Sequence, residues 1–260
     1  MEYVDLTEEA LESIRGRDLD EPIAMINLLK FRDIADPDLG LGPITGRDCY
    51  FGNYIAGVAP IANRLGTGHS PLYLNEVNSC FFATVGEDWD YLLIPQYPSR
   101  RSFVEMITDP EYQELLKYRM GALTNSRLVE CVNGTPSGYP LNLQAPLPSD
   151  PVVERPGLFR DHRVNEVNSR DPEQPTDMLN LVRMAARTTE GHGVDGMTGA
   201  EGYESYKNGV ASSYAERAGV EITWQAFPVA TLIGPGDELW DEALIYHYSS
   251  RSQMLSMFTD

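Results

Sequence analysis

Between Pro22 and Phe31 the chain reads Ile-Ala-Met-Ile-Asn-Leu-Leu-Lys, a run too uniformly apolar for a strand with one face in water. Bounded by proline and charge, it predicts a central strand, and Met178 to Met184 predicts another. Ahead of the first, Leu6 to Ile14 sets Thr7 in N-cap position before Glu8 and Glu9, with Leu11 and Ile14 apolar, which predicts a short helix. Tyr50, Tyr54, Val58 and Ile61 fall at helical spacing and predict an amphipathic helix ending at Gly66. Tyr203, Tyr206 and Val210 repeat that stripe with a one-residue slip. Ser70 to Val77, Phe81 to Val85 and Tyr91 to Tyr97 read as strands, Ser102 to Met120 as a second helix, and Arg127 to Cys131 as a last strand. The order is close to βαββαβ, a ferredoxin-like α+β module with an antiparallel sheet and both helices on one face.

The module occurs twice. Met25-Ile26-Asn27-Leu28-Leu29-Lys30 returns as Met178-Leu179-Asn180-Leu181-Val182-Arg183, an offset of 153 (178 − 25). Thr45-Gly46, Tyr50 and Arg64 recur at the same offset as Thr198-Gly199, Tyr203 and Arg217. Trp89-Asp90 and Tyr97 to Asp109 recur as Trp240-Asp241 and Tyr248 to Asp260 at an offset of 151 (240 − 89). Matches in one order with a single small gap point to a tandem duplication. Residues 1–132 form the first repeat with its N-terminal helix, 133–175 a linker, and 176–260 a second repeat without the counterpart of Pro110 to Cys131. Six prolines between Asn133 and Pro156 argue against regular structure in the linker.

Composition narrows the partners. With 39 acidic against 20 basic side chains the net charge is −19, which repels a phosphate backbone and an anionic membrane surface, so neither nucleic acid nor membrane is expected as a partner. The N-terminus lacks the basic and apolar segments of a signal peptide, and a cytoplasmic location is the expectation. Cys49, Cys80 and Cys131 have no CxxC spacing, so the expectation is reduced, mostly buried thiols. The histidines His69, His162, His192 and His247 have no metal-ligand spacing, and no GxSxG, GxGxxG or P-loop occurs, so neither metal nor cofactor is expected.

The string Met25 to Arg32, with Tyr50 and Tyr54, Trp89-Asp90, Tyr97-Pro98-Ser99-Arg100 and Asp109-Pro110-Glu111-Tyr112, resembles the domain of unknown function family 1330. The resemblance covers nearly all of 20–131 and, more weakly, 176–260. It implies the dimeric α/β-barrel superfamily, in which two ferredoxin-like sheets pack face to face around a cleft. Here the two repeats would form that pair as an intrachain pseudo-dimer, further homo-oligomerisation through sheet edges being open. The superfamily spans cofactor-free monooxygenases, haem-dependent enzymes, isomerases and non-catalytic binders, so the likeness does not decide the reaction.

Six residues are candidates for ligand binding. Asn27 interrupts an apolar strand and must be hydrogen-bonded, either to a ligand or to neighbouring backbone. Tyr50 and Tyr54 would hold a carbonyl or act as weak acids, or else pack with solvated hydroxyls. Arg64 would pin a carboxylate or sit at a helix end. Arg100, opening a helix after a strand, suits an anion or an ion pair, and Trp89 is a rim or core anchor. The reading is a small-molecule pocket that would serve cofactor-independent oxygenation or isomerisation; the alternative is a non-catalytic binding or structural pseudo-dimer.

Overall fold

The computed structural model describes residues 3–67, 71–83, 87–133, 158–159, 163, 167, 169–188, 196–210, 220–236 and 238–256. In chain order its elements are α1 (Glu8–Arg15), β1 (Ile23–Phe31), α2 (Gly46–Cys49), a π-helical turn (Tyr50–Ile55), α3 (Ala56–Arg64), β2 (Tyr73–Glu76), β3 (Phe82–Ala83), β4 (Tyr91–Ile94), β5 (Gln96–Tyr97), α4 (Arg100–Thr108), α5 (Pro110–Ala122), β6 (Leu123–Asn133), β7 (Leu158–Phe159), β8 (Thr176–Val182), α6 (Gly199–Val210), β9 (Glu221–Ile233), β10 (Glu242–Tyr248) and α7 (Arg251–Ser256). A short 3-10 turn covers Pro37–Leu39. Cα packing divides the chain into one unit of Met1–Asn78, Asp88–Asn133 and Pro228–Leu239, and another of Ser79–Glu87, Gly134–Phe227 and Trp240–Asp260. The expected linker stretch 134–157 lies outside the described residues.

The first unit is mixed α+β with an antiparallel sheet. β1 runs beside β6 from Ile23↔Val132 to Phe31↔Leu123, and on its other side pairs with β4 at Asn27↔Leu93 and β5 at Ile23↔Tyr97. β2 closes this end of the sheet against β4, giving the order β2-β4-β1-β6 and a βαββαβ chain path. β6 has the Pro228 end of β9 as its further neighbour. The uniform apolarity of β1 follows from burial on both faces: Ile23, Met25 and Leu29 pack in one core with Tyr50, Tyr54, Ile61, Phe103, Met106 and Tyr112, while Ala24 and Ile26 on the opposite face are also fully buried.

Charge ties this unit together as well. The Arg100 guanidinium is buried and donates to Glu130, to Glu21 and to the Asp18 carbonyl, and Arg17 also donates to Glu130. The start of α4 is thereby fastened to β6 from beneath.

In the second unit β10 is the middle strand, pairing with β8 (Leu244↔Asn180) and with β9 (Ile245↔Trp224). Phe81, Val167, Tyr248, Met254 and Leu255 form its apolar cluster. Glu242, with no exposed surface, accepts from Lys207 Nζ at 3.1 Å and from Gln225. No helix among the described residues is long and apolar enough to cross a membrane. Cys49 and Cys131 are buried, Cys80 is half-buried, and none of the three is in a disulfide.

Several expected elements differ. Ser102 to Met120 is two helices, because Pro110 excludes helical geometry at Asp109, whose ψ is 131°; the Asp109 side chain then caps α5. Tyr91 to Tyr97 is broken at Pro95, which lacks an N–H but accepts from Met25 N through its carbonyl. Of the strand expected over Phe81 to Val85, Phe82 and Ala83 pair with Phe159 and Leu158 in the second unit, and residues 84–85 lie outside the described residues. The strand expected over Met178 to Met184 is not central, since β8 has only β10 beside it among the described residues and nothing takes the part β6 plays for β1. Tyr206 is exposed, so no slip occurs in the second stripe, and Lys207 holds the inward position instead.

Candidate functional site

Gly46 opens the helical segment that carries Tyr50 and Tyr54. Its N–H donates to Arg32 O at 3.0 Å, and a Cβ there would overlap Ala122 O and the Arg32 backbone, so only glycine lets α2 start against the end of β1. Thr45 caps α2 by accepting from Asp48 N. The chain then widens into the π-helical turn, a form concentrated at functional sites, and Pro60 in the following helix has no N–H to donate back to Ala56. Both tyrosines are buried with ring centroids 5.1 Å apart.

Beneath this turn is a cavity of about 570 Å³. β1 contributes Met25 and Asn27 to its lining and β6 contributes Leu128; Tyr97 comes from β5, Tyr112 and Arg119 from α5, and Ile233 from the end of β9. Every lining residue belongs to the first unit. The Tyr54 and Tyr112 hydroxyls share a hydrogen bond of 2.7 Å. Asn27 Nδ2 donates to Met25 O at 3.1 Å, so the amide is half committed to its own strand.

Burial pushes the phenols of Tyr50, Tyr54, Tyr97 and Tyr112 well above their ordinary range. The Arg119 charge opposes that shift at Tyr50, Tyr54 and Tyr112. At neutral pH all four are therefore protonated, hydrogen-bond donors rather than bases. Arg119 itself is 4% exposed; Nη2 donates to Ser126 Oγ at 3.1 Å, and Nη1 has no hydrogen-bond partner among the described residues.

Of the six candidates, Asn27, Tyr50 and Tyr54 line this cavity, and Arg64, Trp89 and Arg100 do not. Arg64 is half-exposed at the end of α3, paired with Asp109 and Glu111. Trp89 lies under the Arg127 guanidinium, 5.1 Å from ring centre to Cζ; Arg127 precedes Leu128 by one strand position and so faces away from the cavity. Arg100 is consumed by its carboxylates. His247 meets Asp177 at 2.7 Å in the second unit; His69, His162 and His192 lie outside the described residues. Among the described residues no three His, Cys, Asp or Glu side chains are grouped to hold a metal. The residue that sequence reasoning missed is Arg119. Its signal was a basic side chain at the seventh position after Tyr112, on the apolar stripe of α5.

No family model matches the chain, and no curated protein matches it. Among solved structures, RPA0582, a protein of unknown function from Rhodopseudomonas palustris, is 33% identical over 52% of this chain and 100% of that one, with a TM-score of 0.47. Its methylated form gives 33%, 53%, 98% and 0.48. A dimeric protein of unknown function and ferredoxin-like fold from Bacteroides fragilis is 12% identical over 44% of this chain and 97% of that one, at 0.28. A haem-binding protein from Thermus thermophilus is 12% identical over 93% and 83%, at 0.38. With a third of the aligned residues identical along the whole of that smaller chain, the protein belongs to the same family as RPA0582.

Proposed function

We propose that the first unit is a small-molecule-binding module, with the ligand seated in the cavity beneath the π-helical turn, and that the chain carries this module twice. The observation that carries the first part is the convergence of neutral phenol donors and an amide on a mostly apolar space large enough for a small organic molecule. Because the lining phenols are held protonated, they suit hydrogen-bonding of a ligand oxygen better than proton abstraction. Binding therefore ranks above cofactor-independent oxygenation or isomerisation, and any catalysis would act by polarising a carbonyl or enolate oxygen.

The duplication is supported by strand register. Asn27↔Leu93, Leu28↔Leu92 and Leu29↔Tyr91 correspond to Asn180↔Leu244, Leu181↔Ala243 and Val182↔Glu242, the offsets of 153 and 151 holding pair by pair. Tyr73↔Ile94 corresponds likewise to Trp224↔Ile245. The bonds that fasten these strands follow suit: Phe31 N to Asp90 and Met184 N to Asp241, Gly46 N to Arg32 O and Gly199 N to Ala185 O. Yet Lys207 stands where Tyr54 does and Glu242 where Tyr91 does, so the second copy has an ion pair at the positions of Tyr54 and Tyr91. Ligand binding is assigned to the first copy alone.

A thermal-shift screen against a metabolite library, with native mass spectrometry of the purified chain, tests this. Binding to the folded state raises Tm by mass action. A compound that protects the parent should lose its effect in Tyr50→Phe and in the cavity-narrowing Leu93→Trp. Equal protection of all three would put the ligand elsewhere and end the proposal.

A further inference from the structure

We infer that the cavity takes an organic anion, a single carboxylate on an apolar body, with Arg119 as its counter-charge. This rests on the ligand reading above and adds to it the charge of the ligand.

The argument begins with what Arg119 lacks. It is nine-tenths buried and lines the cavity, and no carboxylate among the described residues lies within ion-pair distance of it. The other buried arginines of this unit are compensated: Arg100 pairs with Glu130 and Glu21, and Arg127 with Glu238 at 2.8 Å. A chain with 39 acidic residues against 20 basic ones is not short of carboxylates. The one missing partner is missing beside a cavity. An uncompensated buried charge opposes folding, and an anion brought by a ligand would offset that cost.

The surroundings specify the class. Tyr50, Tyr54 and Tyr112 line the same cavity as Arg119 and, being protonated, can donate to a ligand head group there. Met25 and Leu93 offer an apolar wall to the remainder of the molecule. Among the described residues the other charged lining groups are Asp5, which accepts from Leu6 N, and Glu8, which is exposed. Two carboxylates in the lining disfavour a multiply charged head such as a phosphate dianion, and one guanidinium matches one carboxylate in charge and in planar shape.

The test is titration calorimetry of the full chain with matched acid and amide pairs: phenylacetate with phenylacetamide, 4-phenylbutyrate with its amide, and octanoate with octanamide. At least one acid is expected to bind roughly tenfold or more tighter than its amide, in keeping with hydrogen bonds to charged groups. Arg119→Met should level that pair and Arg119→Lys should restore part of the difference. Should Arg119→Met fail to fold, the lysine variant and the acid-to-amide ratio of the parent still decide. Acid and amide binding equally would leave the cavity reading standing and overturn the anion. A preference that persists in both Arg119 variants would overturn Arg119 as its source. If neither series binds, the anion falls together with the ligand reading.

Discussion

Tyr54 and Tyr112 line the cavity with a hydrogen bond between their hydroxyls, each supplying what the other would otherwise seek from water. Tyr54→Phe leaves the Tyr112 hydroxyl without that partner and should cost about 1–2 kcal/mol in urea unfolding. The double variant with Tyr112→Phe should cost clearly less than the sum of the two single changes, since the second removes the orphaned group. Additive costs would mean that the two hydroxyls do not depend on each other. The four buried phenols also set a pH response. Their folded-state pKa values lie above the ordinary 10.0, so above pH 10 the unfolded chain has shed protons that the folded chain keeps. Their contribution to stability is whole below pH 10 and is lost as pH rises past it. A Tm profile from pH 8 to 12 should fall steeply at its alkaline end, more steeply than in Tyr54→Phe; a flat profile would contradict the burial. Asn27, Tyr50 and Tyr54 were legible in sequence because each breaks or marks a periodic apolar pattern. Arg64 and Arg100 lie outside the cavity lining, and each is paired with carboxylates 30 or more residues away, a pairing that no local pattern reveals.

At the scale of elements, the helical segment that follows β1 and the one that follows β8 each start at a glycine pressed against backbone. Gly46 in the first unit meets Arg32 and Ala122, and Gly199 in the second meets Ala185. Gly46→Ala must shift α2 away from β1 and should cost about 1–3 kcal/mol, as overpacking does. Because α2 leads directly into the turn bearing Tyr50 and Tyr54, the same variant should also weaken any ligand that protects the parent in thermal shift. Gly199→Ala should cost a similar amount and leave that ligand untouched. An effect of Gly199→Ala on binding would contradict the assignment of the ligand to the first unit. The helix stripe, its stop at Gly66 and the capped α1 were readable because caps and periodicity are local signals. The break at Asp109-Pro110 was equally local and was overlooked, since Pro110 lies within a stripe whose apolar spacing continues through it.

At the scale of the molecule, a unit need not be one stretch of chain. Pro228–Leu239 belongs to the first unit, where Leu232 and Ile233 are buried in its core and Glu238 pairs with the buried Arg127. The proposed repeat gives no hint of this, because the pairing of β9 corresponds to that of β2 only over its first half. A fragment of residues 1–133 has every strand and helix of the βαββαβ path, yet leaves Arg127 without Glu238 and the cavity without Ile233. It should melt well below the corresponding transition of the full chain and expose apolar surface to a dye such as ANS. A synthetic peptide of residues 228–239, added in excess, should raise the Tm of the fragment in a concentration-dependent way, as any species that binds only the folded state does. The same peptide with Glu238→Gln and Ile233→Ala should do so weakly or not at all. If the fragment alone melts like the full chain and the peptide changes nothing, the last strand is dispensable, and the first unit is complete within residues 1–133.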